Sequence, residues 1–175
     1  MKYFSAISAL LFSAAFIFLP LVWGEPKVSV ATTQELYVEE CGSCHMAYSP
    51  TLLVEKSWAK LMHGLDDHFD DNAELDSETQ AELEQYIYAQ SAEKFRYNPV
   101  SQLGRSMLED KVIIRISELP YFIKEHDEIT KKSVVNNPKI QSFSYCNACH
   151  SGAEQGDFNE DDVHIPNATI ERGLK

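Results

Sequence analysis

All four cysteines of the 175-residue chain fall in two pentads, Cys41-Gly42-Ser43-Cys44-His45 and Cys146-Asn147-Ala148-Cys149-His150. Two thiols three residues apart lie on one helical turn, where they can add to the two vinyl groups of a haem and set the next residue, an imidazole, beneath the iron. Competing chemistries ask for other surroundings. A thioredoxin-like redox pair needs a strand-helix-strand context, and no strand pattern precedes either pentad. A four-thiolate zinc site would join pairs 102 residues apart and leave each following His unexplained. Disulfides suit an oxidising compartment, but not the spacing or the paired histidines. The pentads therefore predict two covalent haem c groups, attached through Cys41, Cys44, Cys146 and Cys149, with His45 and His150 as proximal iron ligands.

The sixth position of each iron decides the redox character. Ligation by His on both sides gives lower potentials than His with Met, and an open position admits a small ligand. The candidates are His63, His68, His126 and His164, with Met46, Met62 and Met107. Met46 is adjacent to His45 and cannot readily reach the opposite haem face; Met62 and Met107 suit core filling. His68 lies 23 residues after His45 and His126 lies 24 before His150, distances that permit a helix, a loop and a return. On a regular helix His63 and His68 diverge by more than a right angle, so one of them faces a given haem. His68 has Gly64 one turn earlier, where a helix backbone can approach the macrocycle, and Phe69 to pack on its edge. His126 has Phe122 and Ile123 on its helix. His164 is the second choice for the second haem.

The elements that must position these residues read as helices. Thr32 or Thr33 can cap a helix through Gln34-Glu35-Leu36-Tyr37 that delivers the first pentad. A second helix runs from about Ser57 through Trp58, Leu61, Met62 and Leu65 towards His68 and Phe69. A third, Glu78 to Ala89, is capped by Asp76 or Ser77 and carries Leu83, Tyr86 and Ile87 on neighbouring faces. A fourth starts at Ser117, tolerates Pro120 in its first turn and continues to His126. Pro138 suits the first position of a helix leading through Ile140, Phe143 and Tyr145 to Cys146. Residues 111–116, rich in β-branched side chains, fit a strand or a buried helix equally. The tail from Ser151 reads as an irregular wrap over the second haem. The expected fold is mostly α: short helices and long loops wrapped around two c-type haems, with little or no sheet. Arg96-Tyr97-Asn98-Pro99 breaks the pattern and divides a haem-binding half, 25–98, from another, 99–175. Each haem serves as the core of its half, so the apo-protein should be poorly structured.

Residues 1–24 differ from the rest, with Lys2 followed by an apolar run from Ala6 to Leu21 and then Val22-Trp23-Gly24. This is the anatomy of a signal peptide, cut after Gly24; the run is short of the ~20 residues that span a bilayer. The exported product is expected in the periplasm, and not as an integral membrane protein. Residues 1–24 hold one base and no acid, so 14 bases and 27 acids remain, a net charge of −13. Such a field repels nucleic acid and favours partners that present Lys and Arg. Asn167-Ala168-Thr169 matches a glycosylation acceptor by chance.

At these residues the chain resembles the bacterial dihaem cytochrome c family, small periplasmic proteins with two bis-His haems. The resemblance rests on the first pentad with Met46-Ala47-Tyr48 and Pro50, on Ser57-Trp58, Leu65, His68-Phe69 and Asn72-Ala73, on Pro120-Tyr121-Phe122 with His126, and on the second pentad with Ile165-Pro166. It implies His68 and His126 as distal iron ligands, with the haem that each serves left open. The family pattern has a Gly after the His-Phe pair, where this chain has Asp70. It also implies a low-potential electron carrier, not an enzyme, relaying between a membrane cytochrome b type donor and soluble periplasmic acceptors, some of them haem proteins that bind oxygen or nitric oxide. A small dihaem peroxidase or nitrogen-oxide reductase, or a haem-based ligand sensor, would differ in having one open haem site.

Overall fold

The computed structural model describes residues 30–107 and 111–167; the signal-peptide reading and the end of the Asn167 triplet lie outside them. The described residues form six α-helices: α1 Val30–Cys41, α2 Glu55–Met62, α3 Ser77–Ala89, α4 Ser101–Arg105, α5 Pro120–Glu125 and α6 Lys131–Val135. Single 3-10 turns and loops join them, and sheet pairing among these residues is limited to two isolated bridges, His68 with Asp71 and His150 with Val163. The architecture is the expected one of short helices and long loops. No helix among the described residues is long and apolar enough to cross a membrane.

Several elements depart from the sequence reading, each for a local reason. Helix α1 starts at Val30, before the expected caps, and the Thr33 hydroxyl instead donates to Glu82 Oε1 of α3 at 2.9 Å. Helix α2 ends at Met62 and does not reach His68. Gly64 is a poor helix former, and Asp66 and Asp67 would place negative charge at the C-terminal end of the helix dipole. The chain makes a 3-10 turn at Leu65–Asp67 instead. Helix α3 matches the reading: the Asp76 carboxylate accepts from the amides of Glu78 and Thr79, both at 3.0 Å. Helix α5 begins at Pro120, not Ser117, because Leu119 is held extended ahead of the proline, and Ser117 sits in a separate 3-10 turn.

No helix leads into the second pentad. Asn137 Oδ1 accepts the Lys139 amide at 3.1 Å, Gln141 adopts a φ of 66°, and Ser142 Oγ accepts the Ser144 amide at 3.1 Å. Asn and Ser side chains thus take the backbone bonds a helix would need, and residues 136–145 run as a chain of turns. Residues 111–115 are neither strand nor helix. They cross the surface extended, with the Ile113 amide donating to Met107 Sδ.

One buried cluster holds these pieces together, with Leu83 and Ile87 of α3 fully enclosed against Tyr37 of α1, Trp58 and Met62 of α2, and Leu119 beside α5. It continues across the 98/99 junction. Helix α4 sits close against its neighbours: a Cβ on Gly104 would lie 2.7 Å from the Leu52 carbonyl oxygen, 2.8 Å from Ala92 Cβ and 2.9 Å from Leu53 Cα. On a free helix face Gly→Ala gains ~1 kcal/mol. Here Gly104→Ala is expected to lose about 1–3 kcal/mol through overpacking and to lower the thermal midpoint of the holoprotein; a raised midpoint would contradict the close approach.

Candidate functional site

The first pentad begins on the last residue of α1, so the helix carries Cys41 and the following turn presents Cys44 and His45. His45 Nδ1 donates to the Met46 carbonyl at 2.7 Å, which leaves Nε2 as the free lone pair. Opposite it stands His68, with ring centroids 6.2 Å apart and planes 30° from parallel. In the second half, His126 Nδ1 donates to the Phe122 carbonyl at 2.8 Å, again freeing Nε2. Its ring faces His150 at 6.1 Å, the planes crossed at 67°. Two metal–nitrogen bonds of ~2 Å each, plus the two half-rings, span about this distance. The structure thus pairs His68 with His45 and His126 with His150.

One imidazole of each pair is held towards its neutral form. Burial lowers the pKa of His68, helped by the neighbouring His45 and by Arg115, with Asp71 opposing. Burial also lowers that of His150, with His126 adding to it. Neutral imidazoles keep the lone pairs that metal ligation requires. The four cysteines form no disulfide. Burial pushes the Cys41 thiol up to about 11, with Glu40 adding, and burial likewise pushes Cys146 to about 11. These are neutral thiols, unlike the depressed thiolates of redox-active or zinc-bound cysteines. Among the described residues no three His, Cys, Asp or Glu side chains converge on one point.

A pocket lies at the second pair, with Cys146 and Cys149 on its wall and a lining otherwise dominated by apolar side chains such as Leu52, Leu103 and Ile140. A flat, largely apolar prosthetic group with iron at its centre fits this donor set. Phe122 stacks on His126 at 3.9 Å, and Phe158 packs edge-on against His150 at 5.3 Å. The tail folds back as expected: the His164 amide donates to the Cys149 carbonyl at 2.9 Å, and Asn137 Nδ2 donates to the Pro166 carbonyl at 2.6 Å. The first pair is more open. Cys44 and the carboxylates of Asp66, Asp67, Asp70 and Asp71 are exposed around it, and the Arg115 guanidinium lies 4.1 Å over the Phe69 ring.

The other candidates are engaged elsewhere. Met46, Met62 and Met107 are buried in the core, and Met107 Sδ accepts the Ser57 hydroxyl at 3.3 Å. His63 and His164 point to solvent, with His63 Nδ1 bonded to the Ala59 carbonyl of its own helix. Three aromatic residues at the sites escaped the sequence reading of the ligand shell. Tyr48 lies 4.7 Å from the His45 ring, Phe143 lies edge-on to His126, and Phe158 contacts His150. Tyr48 carries the signal of an aromatic three residues beyond the pentad; Phe158 sits in an aperiodic tail that offers none.

The chain is similar to several known proteins. The family model described as dihaem cytochrome c matches residues 37–158. A diheme cytochrome type c from Shewanella baltica OS155 is 38% identical with a TM-score of 0.63, over 77% of this chain and 94% of its own. A diheme cytochrome c from Rhodobacter sphaeroides is 36% identical with a TM-score of 0.62, over 71% and 95% respectively. Nothing among curated proteins matches the chain.

His68 reaches its place by a device other than the expected helix. Its amide donates to the Asp71 carbonyl at 2.7 Å and its carbonyl accepts the Asp71 amide at 3.3 Å, while Phe69 and Asp70 between them have φ of 59° and 78°. Two positive φ values inside such a bridge make a type I′ turn, which favours Gly or Asn. Asp70 thus stands in a conformation that suits the family's Gly, and Asp is among the few side chains that tolerate it. Asp70→Gly is expected to leave the thermal midpoint of the holoprotein unchanged or slightly raised. Asp70→Val should cost about 1–2 kcal/mol and displace His68, read as loss of low-spin haem absorbance; equal behaviour of the two variants would count against the turn.

Proposed function

Because the chain belongs to the dihaem cytochrome c family, we propose that it is an exported, low-potential electron relay in which each of two haems is held by two histidines. The family makes it an electron-transfer cytochrome with two c-type haems. In the proposed arrangement Cys41 and Cys44 attach the first haem, and Cys146 and Cys149 the second. His45 with His68, and His126 with His150, would supply the nitrogens that hold the two irons. A bound haem supplies an iron that gains and loses one electron. The protein's part is to hold imidazoles on both faces, to keep the ring orientations fixed through the Met46 and Phe122 carbonyls, and to exclude water from the second site with apolar walls.

The observation that carries this reading is the facing of two imidazole pairs at 6.2 and 6.1 Å. Six-coordinate irons leave no position for a substrate, so the role is transfer without bond-making, and ligation by two histidines favours low potential. The donor proposed is a membrane cytochrome b type protein and the acceptors soluble periplasmic redox proteins, some carrying haem. The chain's formal charge of −12, with exposed carboxylates around His68, selects partners with a basic face. Residues 1–24 serve as the removable export signal.

The two ring pairs differ in their crossing angle, and that difference should be visible in paramagnetic resonance. Nearly parallel imidazoles give a ferric low-spin spectrum with three resolved g-values, and strongly crossed ones give a single prominent low-field feature. The oxidised protein should show one of each. His68→Ala should abolish the first signal and His126→Ala the second, each variant gaining carbon monoxide binding at one reduced haem. Carbon monoxide binding by the unaltered protein, or both signals surviving in both variants, would overturn the ligation. Electron exchange with a basic redox partner should slow roughly tenfold from low to high ionic strength, measured by stopped flow; rates independent of salt would remove the acidic docking face.

A further inference from the structure

Tyr48 touches both halves of the site. Its ring lies against the His45 imidazole, centroids 4.7 Å apart and planes 30° from parallel. Its hydroxyl reaches the other way and donates to the Ser144 carbonyl at 2.5 Å, across 96 residues of sequence and two residues before Cys146. Its own carbonyl accepts the hydroxyl of Tyr37, a buried residue one turn before Cys41 on α1. Ser144 is itself pinned, its amide and hydroxyl both bonded to Ser142 Oγ at 3.1 and 2.8 Å. One side chain and its carbonyl therefore tie together the helix that carries Cys41, the loop that carries His45 and the turn that delivers Cys146.

We propose that Tyr48 is the positioning residue that fixes the first haem site against the second and sets the rate at which an electron passes between them. Apolar contacts also join the halves, as where Leu52 lines the second cavity, but such contacts are non-directional and tolerate sliding, and the Ser57 hydroxyl on Met107 Sδ and the Arg115 guanidinium over Phe69 do not tie one pentad to the other. A hydrogen bond at 2.5 Å from a ring seated on His45 fixes distance and direction together. Electron transfer falls off exponentially with the gap between donor and acceptor, so a link that shortens or steadies the gap acts on the rate far more than on stability. The transfer would take one electron from the first iron to the second, with Tyr48 neither oxidised nor deprotonated.

This rests on the bis-histidine reading, and the experiment separates the two. The holoprotein is half-reduced by a flash-generated reductant and the exchange between its haems is followed optically, with spin–spin broadening in paramagnetic resonance as the measure of haem separation. Tyr48→Phe keeps the ring on His45 and removes the bond to Ser144. Tyr37→Phe loosens the same residue through its carbonyl, and carries the test if Tyr48→Phe fails to load both haems. Tyr88→Phe removes a buried hydroxyl that has no partner and serves as control. The expected result is exchange slowed at least threefold, with altered broadening, in Tyr48→Phe, the same direction in Tyr37→Phe, and no change in Tyr88→Phe, while both low-spin signals persist. Unaltered exchange in whichever tyrosine variant loads both haems, or equal slowing in the control, would falsify the role of Tyr48. Absence of two low-spin signals in the unaltered protein would instead fault the ligation, before any variant is compared.

Discussion

Two imidazoles that face each other across about 6 Å gain nothing from one another, and if both were charged they would repel. Everything that holds them there has to come from the backbone and the packing behind them. At His45 and His126 that support is a carbonyl bonded to Nδ1; at His150, whose Nδ1 is buried without a partner, it is the backbone bridge to Val163 and the Phe158 ring. At His68 it is a two-residue turn with left-handed dihedrals. The fold can be understood as the set of helix ends, turns and aromatic contacts that meet this one spacing twice.

The helices are correspondingly modest. Three of the six have five or six residues, too short to be stable alone, and their contribution is to end in the right place. Helix α1 ends on Cys41, and α5 ends one residue before His126. Helix α3, capped by Asp76 and buried through Leu83 and Ile87, has the length and packing of an ordinary core helix. It supports α2 and α1 from behind, and α1 carries Cys41 in front.

How much of this is legible in the sequence depends on the range of the interaction concerned. The pentads are local chemistry, and four cysteines with two histidines read off directly. His68 and His126 stand out by spacing and by resemblance to the family, but the sequence leaves open which haem each serves; the ring pairs couple each to the pentad nearer in sequence. The route to His68 is not legible as a helical pattern, because Gly64 and the acids after it stop α2, and a primed turn formed by Phe69 and Asp70 has no hydrophobic period. The approach to Cys146 misleads for a similar reason: Pro138 followed by spaced apolar residues looks helical, while Asn137 and Ser142 bond the backbone out of that form. Tyr48 is visible as a residue type, but its bond to Ser144 spans most of the chain and no local pattern encodes it.

The two imidazole pairs are also arranged in a telling order along the chain. His45 and His68 close a loop of 23 residues, His126 and His150 one of 24, and the loops follow one another without interleaving. Loop-closure entropy depends only weakly on length, so both closures cost about the same, and neither waits on the other. For a chain that emerges N-terminus first, every proposed ligand of the first site is present before any proposed for the second is needed. In the second, His126 is already in place when its pentad arrives. Assembly can therefore proceed as two local loading steps, with the long-range bond from Tyr48 to Ser144 joining the finished halves last.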